Sequence, residues 1–470
     1  MISLKVEEII KSTKGELISG DEKYEISHIT IDSRDVKQNS MFISIVGEIQ
    51  DGHRYVESAY DNGCRAFLVS SLDFINEKIL NDSSVIKVEN TELALGKISK
   101  YYIDLFDLDV IGVTGSVGKT TTRDMIFSVI SNKFNAVKNQ KNFNNQFGVP
   151  LTIFNIEKKH ECAVIEMGMC GFGEIDYLAE ITRPKIAVIS NIGLSHVENL
   201  GSQEGILKAK MEIANYFDEN SILIINGDDA FLSKVASEYR DNGEKFRYKI
   251  LTFGKFPTNT IYTKKIEVLG NNKTKFTVKI DNYDESIDFE IPTVGEHNVF
   301  NAMSAILAGL SMNMSIDEIK EGLLKFVPTE NRQDVIDTEK YTIINDVYNA
   351  SPDSMIASLR VLSLFDKNRR VAILGDCLEM GDFSEEGHRK IGHQAIGKTD
   401  VLISIGDVSK YIAIEAKERG FDLSNVYHFN NKEEFFNELN SIIKDGDVIL
   451  VKASRGMKFE DIVEILKGGK

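Results

Sequence analysis

The sequence predicts a three-domain α/β chain whose central domain is a doubly wound, mostly parallel sheet carrying a phosphate loop. Three observations lead there. From about residue 106, short β-rich runs alternate with amphipathic segments, the pattern of parallel strands joined by helical crossovers. One of these runs, Val110 and Ile111, ends in a glycine-rich turn closing on Gly118-Lys119-Thr120; a helical pattern follows, with Met125, Ile126, Val129 and Ile130 on one face. Strand, glycine loop and helix in that order is the setting of a phosphate site. The length, 470 residues, exceeds a single core and suits two to four domains.

Taken in order, residues 1–105 form a small α/β module. It opens on an amphipathic helix, MISLKVEEIIKSTKGE, whose mixed charge excludes a signal or transit peptide. Ile29 and Ile31 alternate with polar neighbours, Met41 to Val46 and Ala66 to Val69 are apolar runs, and a helix lies between the last two, over 54–62. The central domain, 106–327, has strands at 109–113, 162–167, 186–190 and 221–225. Residues 247–292 then read as antiparallel strands, YKILTF, KIEVL and KFTVKI, with a turn at Gly270-Asn271-Asn272, and a helix follows over 298–311. The third domain, 328–470, is Rossmann-like, with strands at 341–345, 371–375, 401–405 and 448–452. Several end in loops rich in glycine, aspartate or serine, where open α/β sheets bind ligands.

Composition narrows the function. A net charge of −17 argues against a nucleic-acid partner, which needs clustered lysine and arginine. No stretch reaches the ~18 apolar residues that span a bilayer. Cys64, Cys162, Cys170 and Cys377 lie far apart without metal-ligand spacing, as in a reduced, cytoplasmic protein.

The phosphate loop supplies the first chemistry. Gly115, Ser116 and Gly118 turn backbone N–H groups outward, and the start of the following helix aims its positive end at an anion. Lys119 adds a charge for the outer phosphates of a nucleoside triphosphate, and the Thr120 hydroxyl, beside Thr121, reaches a Mg²⁺. The spacing departs from the strict P-loop in one place, with Val113 where a glycine is expected. Glu166 ends a strand, His196 follows another strand end, and Lys210 lies in a helix. Singly these read as a cap, a loop histidine and a surface lysine. Their shared sheet edge is what suggests metal-assisted phosphoryl chemistry.

GVTGSVGKTTT, NFNNQFGVPLT, AVIEMGMCGFGEI, SNIGLSHVENLGS, KAKMEI, VGEHNVFNAMSAI and ENRQDV resemble, in order, the blocks of the Mur ligase family of ATP-dependent amide-forming enzymes of peptidoglycan precursor synthesis. INDVYNASPDSMIASLR and ILGDCLEMGDFSEEGH are most similar to members that add D-alanyl-D-alanine to UDP-N-acetylmuramoyl-tripeptide, although Asn345 and Val347 replace a common Asp and Ser. The alternative is a sister ligase adding the third amino acid, L-lysine or meso-diaminopimelate; its diaminopimelate form typically carries an Asp-Asn-Pro-Arg stretch, which is missing here.

The resemblance implies ATP and two Mg²⁺ as cofactors, small-molecule substrates, no membrane insertion and a cytoplasmic monomer. It implies Thr120, Glu166, His196 and Lys210 as magnesium ligands, Lys210 as an N6-carboxylysine. Asn298 and Asn301, spaced to share a helix face, with His297 and Arg332, would meet the nucleotide, Arg332 as the domains close. Ser33 and Arg34 would contact the UDP end of the acceptor in the first domain, and Asn144 and Asn145, crowded in a loop before Gly148, are candidate substrate contacts. Asp346, Tyr348, Asn349 and Asp353 would lie near the incoming dipeptide in the third. Whether the tripeptide ends in lysine or diaminopimelate is not encoded in these motifs.

Overall fold

The computed structural model describes residues 1–47, 50–140, 142–270 and 272–468, so Asn271 of the expected turn lies outside the described residues. The architecture is α/β throughout. The chain divides into two compact units: Met1–Val113, Phe134–Ala187 and Glu212–Ser221 in the first, and Thr114–Lys133, Val188–Met211 and Ile222–Lys470 in the second.

In the first unit the opening helix is Val6–Thr13, its start held by the Glu8 carboxylate accepting the Lys5 N–H at 2.7 Å. Among the described residues the following sheet has five strands, in the order Glu16–Ser19, Ser84–Lys87, Ala66–Val69, Ser40–Ile43 and His28–Thr30. Only the Glu16–Ser19 edge is antiparallel. Phe42, Phe67, Val69 and Val85 fill one core with Val56 and Ala59 of helix Val56–Asp61. Helix Thr91–Ile103 is capped by Asn90, whose Oδ1 accepts the Leu93 N–H at 2.9 Å. It carries the buried Tyr102, whose hydroxyl donates to the Ile156 carbonyl and accepts from Ile2 N–H, both at 2.7 Å. The wholly buried strand Cys162–Glu166 then runs parallel to Asp109–Thr114 on one side and Ala136–Lys138 on the other. Continuous apolar character is what a strand covered on both faces requires.

The second unit holds the helix Lys119–Ile130 that follows the glycine loop. Two glycines let other helices reach it. A Cβ on Gly322, in helix Ile316–Leu324, would stand 2.6 Å from Val129 Cα, and one on Gly309, in helix Glu296–Ser311, 3.0 Å from a Val129 methyl. Ser128 Oγ donates to the Gly322 carbonyl at 2.7 Å, so this is backbone-close packing.

Two expectations are corrected here. Lys249–Gly254 is parallel, not antiparallel, to both Ile222–Asn226 and Ile261–Leu269; only the later pairings, through Lys273–Ile280 and Ile287–Ile291, are antiparallel. Six residues suffice for the parallel connection because the strands overlap only at Phe253 and Gly254, where one ends and the next begins. The helix expected at 298–311 starts earlier, with Gly295 as its cap, which places His297 and Asn298 inside the first turn.

The C-terminal sheet has, among the described residues, six strands in the order Asp334–Asp337, Thr342–Asn345, Val448–Lys452, Arg370–Gly375, Val401–Ile405 and Val426–Phe429. The two edge strands escape sequence reading because they are short and half-exposed. The four inner ones alternate between two cores: Ile344, Ala372, Leu374, Leu402 and Leu450 face one layer of helices, while Ile343, Val371, Ile373, Ile403 and Ile449 face the other. That is the Rossmann-like double winding.

In one of these cores His388 is fully buried, Nδ1 donating to the Ser384 carbonyl at 2.6 Å and Nε2 accepting the Cys377 N–H at 2.9 Å. Burial lowers its pKa, against the Ser384 bond. Unfolded histidine titrates near 6.5, so above that pH both states are neutral and this contribution is complete. Below it the unfolded chain takes the proton first, and stability falls. The stability gap between wild type and His388→Gln should therefore narrow from pH 7 to pH 5, as read from urea midpoints.

Candidate functional site

The glycine loop is held by residues that sequence reading missed. Gly115 has φ 151° and Gly118 φ 84°, and a Cβ on Gly115 would lie 2.0 Å from Ser190 Oγ, so neither position accepts a side chain. Asn191 pairs with Val117 as a second strand would: its Oδ1 accepts the Val117 N–H at 2.9 Å and its Nδ2 donates to the Val117 carbonyl at 2.8 Å. The Asn191 carbonyl also accepts the Ser116 N–H at 3.0 Å, and Ser190 Oγ donates to Val117 O at 2.7 Å. Both residues sit in the block that yields His196, where only the histidine was singled out.

Lys119 curls back, its Nζ donating to Gly115 O at 2.8 Å and Ser116 O at 3.4 Å. Thr120 is buried one residue on. Ser116 Oγ is buried without a hydrogen-bond partner among the described residues. The Ser116 N–H, expected to point outward, is instead spent on Asn191, so it is the unpaired Ser116 hydroxyl that suits a phosphate oxygen.

Lys210 is 1% exposed, and burial, then Lys119, pushes its pKa well below the lysine range. His196 adopts a left-handed φ of 64° at the start of the short helix Val197–Leu200. Its pKa falls to about 4 through burial first and then Lys119 and Lys210, so the ring is neutral at pH 7. Glu379 Oε2, 3.9 Å from its Nδ1, is no ion-pair partner in that state. The structure thus places Lys119, His196 and Lys210 in one electrostatic neighbourhood.

The expected nucleotide residues form a polar chain. Thr122 Oγ1 donates to Asn301 Oδ1 at 3.1 Å, Asn301 Nδ2 to Asn298 Oδ1 at 3.2 Å, and Asn298 Nδ2 to Gln333 Oε1 at 3.1 Å. His297 Nε2 meets the same Gln333 oxygen at 2.8 Å, so its ring is oriented by protein. Asn301 Oδ1 lies 3.3 Å from where a Gly118 Cβ would stand, at the loop itself. Arg332 stacks 3.9 Å over the Tyr348 ring, and its buried Nε has no partner among the described residues.

In the first unit, Glu166 Oε1 accepts Asn144 Nδ2 at 2.8 Å. Asn139, also missed, holds the Glu166 backbone on both sides, Oδ1 accepting its N–H and Nδ2 donating to its carbonyl, each at 2.9 Å. Asn145 is spent locally, its Oδ1 accepting the Gly148 N–H at 2.9 Å to start helix Gly148–Ile153. Ser33 is buried beside Ser58. Arg34 is exposed and forked onto Asp32, whose pKa its side chain lowers to about 2.

Asp346 is internal: Oδ2 accepts Lys452 Nζ and Ser358 Oγ, both at 2.6 Å, which leaves it little capacity for a ligand. Lys452 reaches on to the Asn349 carbonyl at 3.0 Å, so it pins the loop that presents Asn349 and Tyr348. Asp353 accepts Lys390 Nζ at 3.2 Å, and its Oδ2 lies 2.6 Å from where a Gly193 Cβ would stand. The loop leading to His196 therefore approaches Asp353 through a glycine.

Known proteins supply the wider comparison. The chain matches three domains of the Mur ligase family: the family's catalytic domain over residues 25–103, the middle domain over 113–309 and the glutamate ligase domain over 331–455. It is 37% identical to the UDP-N-acetylmuramoyl-tripeptide–D-alanyl-D-alanine ligase of Bacillus subtilis, with 99% of each chain covered. The ligase of the same name from Escherichia coli is 30% identical, with 99% of each covered. Among solved structures, MurF from Acinetobacter baumannii superposes with a TM-score of 0.89 at 28% identity over 99% of both chains. MurF ligase from Thermotoga maritima in complex with ADP gives 0.81 at 25% identity, covering 94% of this chain and 97% of that one.

Asn191→Ala leaves the Val117 N–H without its partner and the carbonyl with Ser190 Oγ alone, a loss of about 1–3 kcal/mol. We expect lower stability in urea and weaker ADP binding by calorimetry, with Asn191→Asp, which keeps the acceptor, falling between.

Proposed function

The chain belongs to the Mur ligase family, and on that premise we propose its reaction: ATP-dependent joining of D-alanyl-D-alanine to UDP-N-acetylmuramoyl-tripeptide, releasing ADP and phosphate. It is an amide-forming ligase of peptidoglycan synthesis. The observation that carries this reading is likeness along the entire chain to ligases so named, 37% identical in the nearest case given above. The sister activity, addition of the third amino acid, has no comparable support.

The physical problem is repulsion between the tripeptide carboxylate and the γ-phosphate it must attack. That attack forms an acyl phosphate and expels ADP. The dipeptide amine then adds to the acyl carbon, and the tetrahedral intermediate collapses to amide and phosphate as the nitrogen loses its proton. Lys119 and the positive start of the helix after the loop offset phosphate charge throughout. A neutral His196 and a depressed Lys210 amine both follow from crowding cations into a buried place.

We assign Lys210 as the modified lysine. Its neutral amine adds CO₂ and releases a proton, giving a carbamate, and the side chain turns from neutral to negative. Among the described residues no three His, Cys, Asp or Glu gather into a ready cation cage. Magnesium keeps water and phosphate oxygens as ligands and takes few from protein. Thr120, Glu166, His196 and the Lys210 carbamate are the donors we assign to two Mg²⁺, which when bound neutralise phosphate charge. Asn298, Asn301, His297 and Arg332 serve the nucleotide, Ser33, Arg34 and Asn144 the acceptor, and Tyr348, Asn349 and Asp353 the dipeptide. We set the domain boundaries at 105/106 and 327/328, and take the chain as a cytoplasmic monomer. No helix among the described residues is long and apolar enough to cross a membrane.

Phosphate release should require UDP-N-acetylmuramoyl-tripeptide and D-alanyl-D-alanine together; ATP hydrolysis indifferent to both would overturn the ligase reading. Offering L-lysine and diaminopimelate with the dipeptide acceptor tests the sister activity. Lys210→Ala should lose most turnover and regain part with added short carboxylates, while intact mass of the native protein should show one added CO₂.

A further inference from the structure

We propose that Arg455 is a specificity-determining residue that fixes the C-terminal carboxylate of the incoming dipeptide. This rests on the reaction proposed above. The dipeptide brings an amine that must reach the acyl carbon and a carboxylate of the same sign as the phosphates, so the carboxylate needs a cation of its own.

Arg455 stands where such a cation is wanted. Its short helix, Arg455–Met457, follows strand Val448–Lys452, which lies between Thr342–Asn345 and Arg370–Gly375 in the C-terminal sheet. The carboxyl ends of neighbouring parallel strands are where open sheets take ligands. Ser454 ties three loops together there, its Oγ accepting the Leu378 N–H at 2.9 Å and donating to the Ala350 carbonyl at 3.4 Å. Met457 Sδ accepts the Asp376 N–H at 2.8 Å. The loop bearing Arg455 is therefore a fixed platform beside Tyr348 and Asn349.

The side chain itself is exposed, with its guanidinium 5.4 Å from the Tyr348 ring centroid and no ion pair among the described residues. Stacking on an aromatic face orients the fork and leaves its N–H edge open for a planar carboxylate. Lys452 and Lys390 are already committed, to Asp346 and Asp353.

Arg332 shares the same ring but belongs to the nucleotide side. Its neighbours in sequence reach that way: Thr329 Oγ1 donates to Asp124 of the phosphate-loop helix, and Gln333 meets His297 and Asn298. Two cations on one tyrosine, with no acid paired to either among the described residues, leave an anion to be supplied by ligand. The division of labour assigns phosphate to Arg332 and carboxylate to Arg455.

The test compares D-alanyl-D-alanine with its C-terminal amide in wild type, Arg455→Ala and Arg455→Lys, using the full chain with ATP and the tripeptide acceptor. Wild type should favour the acid. Arg455→Ala should raise the KM for the dipeptide about 10- to 100-fold and abolish the preference for acid over amide, with the KM for ATP unchanged. Arg455→Lys, keeping charge without the fork, should recover part of the preference. Equal thermal midpoints would show that the variants fold. Acid–amide discrimination surviving in Arg455→Ala, or a raised KM for ATP in place of the dipeptide, would overturn the assignment. If wild type itself turned over no dipeptide, the underlying reaction would fail instead, a distinct result.

Discussion

A loop that binds phosphate must leave its N–H groups unpaired toward the ligand, and it keeps one shape only if its remaining backbone is fully paired. The Asn191–Val117 pairing meets that constraint. One side chain supplies both a donor and an acceptor to one residue of the turn, as a neighbouring strand would. Ser190 holds the same carbonyl, and glycines occupy both positive-φ positions of the loop. Gly115 is fixed by the approach of Ser190, so the clamp and the glycine pattern depend on each other.

Electrostatics follows from that geometry. A loop carrying Lys119 sits in the electrostatic neighbourhood of the buried Lys210, and burial first, then Lys119, lowers the Lys210 pKa. His196 is driven neutral and Lys210 toward the free amine. A chain with a formal charge of −17 thus holds Lys119 and Lys210 in one local cationic centre. The C-terminal sheet uses the opposite device: Lys452 and Asp346 neutralise each other in the interior, and the pair spends its charge on shaping the loop at Tyr348.

Much of this was legible in the amino-acid sequence because it is periodic or local. The parallel strands stood out as continuous apolar runs, and the phosphate loop by its glycines and the helix after it. The edge strands Asp334–Asp337 and Val426–Phe429 were not, because half-exposed short segments carry no strong period. The direction of Lys249–Gly254 was misread because pairing depends on stagger, which composition does not encode. Asn139 and Asn191 were passed over for a related reason. An asparagine that pairs with distant backbone looks like any loop asparagine until the two segments are brought together. Asp346 was seen, but its partner Lys452 lies over a hundred positions away, so its internal role was not.

The close approach at Gly322 has an evolutionary side. Because the contact on the other helix is main chain at Val129, substitution of that residue's side chain cannot open room for a methyl group at 322. Compensating change is thereby closed off, and related lineages must retain glycine there or re-lay the entire helix pair. Position 309, which meets movable side chains at Val129 and Ile319, is free to drift in concert with them.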